Sequence, residues 1–94
     1  LVLMAGVPEA WTRKEGFEVR NLRTPFGSLS YSLEVEDDET TLHIEPLQQM
    51  PVGGVAVSWP GEVPKHQSIR QGLGRWLGND LRISELPFTI VFPR

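Results

Sequence analysis

Cysteine is absent from this 94-residue chain, which excludes a disulfide framework and thiolate chemistry but does not identify a compartment. No apolar run approaches the roughly 20 residues that cross a bilayer as a helix. Residues 1–5 lack the charged start and the length of a signal peptide. Positive charge is scarce as well: a formal net charge of -3 and a pI near 5.3 weigh against general binding to nucleic acid or to an anionic membrane, since both call for a basic face. Small partners or another protein surface fit better. From residue 16 onward no 3.6-residue period is sustained, so helices are not expected there. The length suits one domain, which would bury somewhat over ~60% of the surface its unfolded chain exposes.

What is present is alternation. Leu29, Tyr31, Leu33 and Val35 alternate with Ser28, Ser30, Ser32, Glu34 and Glu36, which is the period of a half-buried strand. Leu42 and Ile44 repeat the pattern after the acidic Glu36-Asp37-Asp38-Glu39, so a hairpin is predicted. With Asp37 and Asp38 as its turn, Leu33 faces Leu42 and Tyr31 faces Ile44 on the core side. Ser32 then faces His43 and Glu34 faces Thr41 on the solvated side.

Further short strands are expected around Phe17 and Val19, over Val55, Val57 and Trp59, around Leu81 and Ile83, and over Phe88, Ile90 and Phe92. Thr24-Pro25-Phe26-Gly27 reads as a turn, and Gly53-Gly54 permits positive φ before a strand. The polar stretch 60–78 predicts one or two short strands joined by tight turns. Residues 1–14 read as the end of a helix or a first edge strand, with Trp11 as a packing anchor. Turn signals recur at the spacing of sandwiches and barrels. The expected fold is all-β, an antiparallel β-sandwich of about seven short strands over 16–94, preceded by a junction segment at 1–15.

Chemical motifs are sparse. His43 and His66 stand in no spacing that zinc sites use, and they read as a solvent-facing strand residue and a loop residue. The acidic hairpin tip lacks the glycine at the sixth position and the acid at the twelfth of an EF-hand, so it reads as a solvated turn. Glu34 and Glu36 share a strand face, as carboxylates on any solvated strand do, and this alone does not make a glycosidase pair. Gly72-Leu73-Gly74 opens like a dinucleotide loop, but Leu77 stands where the third glycine is needed and no helix follows. No Gly-x-Ser-x-Gly occurs. No cofactor, metal ligand or catalytic residue is therefore assigned.

The three tryptophans carry the remaining signal. Exposed indoles stack on sugar rings, so Trp76, with Arg75 beside it and Trp59 further off, form a candidate glycan-binding set. The competing assignment places Trp59 in the core, in phase with Val55 and Val57, and leaves Trp76 the most exposed of the three.

The order of several segments is familiar. The run 5–11 (Ala5-Gly6-Val7-Pro8-Glu9-Ala10-Trp11), the run from Val19 to Tyr31 with its Thr24-Pro25-Phe26-Gly27 turn, Pro51-Val52-Gly53-Gly54-Val55, and Leu86-Pro87 before the last strand together resemble the C-terminal β-sandwich domain of large bacterial glycoside hydrolases. These are the helical-barrel enzymes that include α-L-rhamnosidase-like proteins. The resemblance spans nearly the whole chain through structural turns. It implies an accessory domain whose partner is the preceding catalytic domain of the same chain. The catalytic carboxylates would lie on that barrel, so no catalytic residue transfers here. It also implies that the apolar start 1–5 is the exit from the last barrel helix, and that this chain is a piece of a longer one. Trp11, Val7 and Leu3 are then the candidate junction residues. Pro64-Lys65-His66-Gln67 matches no pattern of that family.

Overall fold

The acidic hairpin forms in the predicted register. In a computed structural model that describes residues 1–93, strand β3 (Gly27–Val35) pairs with β4 (Glu39–Ile44) so that Leu33 opposes Leu42, Tyr31 opposes Ile44 and Ser32 opposes His43. The Glu36 N–H donates to the Glu39 carbonyl at 2.8 Å, leaving Asp37 and Asp38 as the turn. Leu29, Leu33, Leu42 and Ile44 are all fully buried, while the serines and Glu34 between them face outward.

Four further strands complete the main path: β1 (Val2–Leu3), β2 (Phe17–Thr24), β5 (Val55–Ser58) and β7 (Asp80–Pro93). β2 joins β3 through the predicted turn, where Thr24 Oγ1 donates to the Gly27 carbonyl at 2.8 Å and accepts from the Phe26 N–H at 3.0 Å. The order is β1-β5-β7-β4-β3-β2, with β6 (Ser68–Leu77) also on β7. A 3-10 turn at Glu9–Thr12 is the one helical element among the described residues.

The closing region departs from expectation. Two short closing strands were predicted, but β7 is one strand of 14 residues, continuous through the cis Leu86-Pro87 peptide. Stretch 60–78 holds a single ten-residue strand rather than short ones. β6 and β7 form a long hairpin across the turn Gly78-Asn79, with Leu77 opposite Asp80. β6 follows one side of β7 throughout. The other side is shared, β5 taking Asp80 to Ile83 and β4 taking Phe88 to Pro93.

That sharing curls the sheet. β6 and β7 lose register between Ile69 and Gly74, where Pro87 supplies no N–H to the ladder. At this bend Gly72 adopts φ +81, and a Cβ there would stand 2.6 Å from the Pro87 carbonyl oxygen. The architecture is a mixed, curled half-barrel instead of an antiparallel sandwich, and β1 runs parallel to β5. The core lies inside the curl, where Val55, Val57, Leu81 and Ile83 from one half meet Leu29, Leu33, Leu42, Ile44, Phe88 and Ile90 from the other. The first 15 residues contribute to it, for Leu3 and Met4 are buried. Gly54 approaches β7 so closely that a Cβ would lie 2.3 Å from the Ile83 carbonyl, and its φ is +79, as the Gly53-Gly54 pair led one to expect.

Candidate functional site

The period of two decides which of the candidate residues can act together. On β6, Trp76 lies opposite Leu81 and turns toward the core, whereas Arg75 lies opposite Arg82 and is exposed. Trp76 and Trp59 do meet. Their centroids are 6.3 Å apart at 85°, with the Phe92 ring 4.7 Å from Trp59 and 6.4 Å from Trp76. Trp59 is 5% exposed and Trp76 is half-buried, so Trp11, not Trp76 as the sequence predicts, is the most exposed of the three. The Trp76 Nε1–H donates to Gln67 Oε1, and Gln67 Nε2 donates to the Pro64 carbonyl at 3.2 Å, which ties loop 59–67 to the ring cluster. The otherwise unmatched Pro64-Lys65-His66-Gln67 stretch thus includes a structural tie. Edge-to-face indoles stabilise one another and do not form a flat platform.

Beside this cluster an open cleft of about 330 Å³ is lined by Trp59, Thr40, Glu9, Arg13 and Glu62. Glu9 is ion-paired with Arg13 and half exposed, so the cleft mouth is polar while its floor is aromatic. Among the described residues every buried side-chain nitrogen or oxygen has a partner, so none awaits a ligand there.

On the outer face, Arg75 and Arg82 line a shallow groove of about 350 Å³ together with Leu73, Leu77, Gly53 and Ser84. Leu73 is 58% and Leu77 52% exposed. Sequence reasoning missed Arg82 and the two leucines. The signal was available in Gly78-Asn79, a two-residue hairpin turn that fixes Arg75 opposite Arg82.

His43 lies on the outer face of β4 as predicted, half-buried between neighbours on both sides. Its Nδ1 is 2.6 Å from Thr89 Oγ1, and its Nε2 is 3.1 Å from Glu45 Oε1. A hydroxyl, an imidazole and a carboxylate in series suit nucleophilic chemistry only beside donors for a developing oxyanion. Around Thr89 the backbone N–H groups serve the ladders to β4 and β6, so the trio acts as a clamp between strands. At the hairpin tip the carboxylates of Glu36, Asp38 and Glu39 come within 4.8 Å of one another in solvent, as a solvated turn allows. His66 is an exposed loop residue.

The three candidate junction residues separate. Leu3 is 3% exposed and packs inside this domain, opposite Val57 on β5, so it presents no surface to a neighbour. Val7 is half-buried against the core. Trp11 is 39% exposed and rests on Phe17 at 6.0 Å, which in turn meets Tyr31 edge-on at 5.9 Å. Val2, one position before Leu3 and therefore on the opposite face, is 60% exposed. Burial raises the Tyr31 phenol above its usual pKa of 10.0, and a backbone hydrogen bond with Met4 partly opposes the rise.

Comparison with protein-family models, curated proteins and solved structures finds no match to this chain.

Proposed function

We propose that this chain is a non-catalytic accessory β-domain that braces the catalytic domain of a carbohydrate-active enzyme. The enzyme class rests on the resemblance in turn sequences alone. The docking role is supported by one observation: the indoles of Trp59 and Trp76 turn inward, while most of the large apolar side chains left outside are aliphatic. Val2, Val52, Leu73 and Leu77 are each more than half exposed, and Trp11 joins Val2 in the N-terminal segment. Exposed aliphatic surface suits contact with another protein, whereas glycan recognition calls for an open aromatic face. The rival, a carbohydrate-binding module using Trp76, Arg75 and Trp59, has less support because Arg75 and Trp76 serve opposite faces of β6.

The test is a titration of the chain with soluble plant and bacterial polysaccharides, followed by tryptophan fluorescence and repeated with Trp76→Ala. The bracing role predicts no saturable change. A saturable change lost in Trp76→Ala would replace it with glycan binding.

A further inference from the structure

We infer that the outer strip of β6 is a docking site for an extended acidic segment of a protein partner, which adds to the free edge of β6 as a further strand. This deepens the docking reading by naming the surface and the chemistry of what it takes.

β6 pairs with β7 alone, so along its ten residues one row of backbone N–H and C=O groups has no strand beside it among the described residues. From Gly74 to Leu77 the strand keeps unbroken register with β7, which gives a regular template of four residues. Free edges of soluble domains are blunted by shortness, by bulges or by charge. The opposite edge, β2, has a register shift between Val19 and Leu22, with Asn21 at φ +55 inside it. β6 has shifts of its own between Ile69 and Gly74, with Gly72 at φ +81, but none from Gly74 to Leu77. Arg75 and Leu77 point outward from this part and Leu73 from the shift just before it, and all three are exposed.

The charge says what covers it. Arg75 and Arg82 are directly opposed cations, an arrangement that costs stability in a sheet. Neither has an ion pair or a side-chain hydrogen bond among the described residues. The acids closest in register, Asp80 opposite Leu77 and Glu85 opposite Leu73, form none with them. Two unmatched guanidiniums on a chain of net charge -3 form a local positive site complementary to carboxylates. An added strand places its own alternate side chains over Leu73, Arg75 and Leu77. The matching pattern is aliphatic, acidic, aliphatic at every second residue.

The test uses the 94-residue chain, labelled with nitrogen-15, and an acetylated, amidated peptide Gln-Thr-Val-Thr-Glu-Thr-Val-Thr-Gln, whose one charge is the Glu. Saturable amide shifts are expected over residues 71–77. Replacing the peptide Glu by Gln, or Arg75→Gln in the protein, should weaken binding by about tenfold, the scale of one charge-assisted hydrogen bond. Arg82→Gln should weaken it less, since Arg82 lies one strand further from the added edge. Both arginines are exposed, and the amide spectrum reports whether each variant is folded. Three results would overturn the inference: no saturable shift up to ~5 mM peptide, equal binding of the Gln peptide, or self-association through β6 in the absence of peptide. If the peptide fails while exposed apolar residues are protected in a larger parent protein, this site falls and the docking role stands.

Discussion

The Phe88 ring occupies the space that a side chain at Gly74 would fill. A Cβ on Gly74 would stand 2.9 Å from Phe88 Cε1 and 3.2 Å from the Arg82 carbonyl oxygen, and Phe88 is fully buried. The contact lies at the end of the bend where β6 and β7 lose register. Gly74→Ala should therefore cost about 1 to 3 kcal/mol as an overpacked core substitution. Gly72→Ala should cost more, because its φ is positive and its obstacles are the fixed carbonyls of Pro87 and Glu85. Urea unfolding of both variants checks the order, and equal stability to wild type would contradict these close approaches.

Leu33→Ala and Leu42→Ala should each cost about 2 to 5 kcal/mol, since both side chains are buried and face each other across β3 and β4. The double variant should lose less than the sum, because the two share one cavity. Strict additivity by denaturant unfolding would contradict the pairing.

Tyr31 predicts a pH dependence. Burial raises its pKa when folded above the 10.0 of the unfolded chain, so its contribution is complete below pH 10.0 and is lost as pH rises through the folded value. Between pH 10.0 and that folded value wild type should lose stability faster than Tyr31→Phe, by at most about 1.4 kcal/mol per pH unit. Parallel pH profiles of the two proteins would show that the phenol does not ionise differently on folding.

How much was legible in the sequence follows from the range of the interactions. The β3-β4 hairpin could be read down to its register because its turn is two residues long and its period is unbroken. The phase of Val55, Val57 and Trp59 likewise identified a buried indole. The closing strands were misjudged because proline normally ends a strand, and nothing local to Leu86-Pro87 shows that β5 and β4 will share one side of β7. Gly72 and Gly74 open like a dinucleotide loop that Leu77 already rules out, and their actual role needs Pro87 and Phe88 opposite them. The candidate site fared similarly. Trp76 and Arg75 are adjacent in sequence and on opposite faces in the fold, while Arg82, the true neighbour of Arg75, emerges only when the Gly78-Asn79 turn is used to set the register.

The most direct test of the docking role is hydrogen exchange on this domain, alone and within the larger enzyme that the resemblance implies. The account predicts slower exchange in the enzyme around Val2, Trp11 and 73–77, with no change around Trp59. Unchanged exchange at all three segments, with protection at Trp59 and Trp76 on adding polysaccharide, would contradict it.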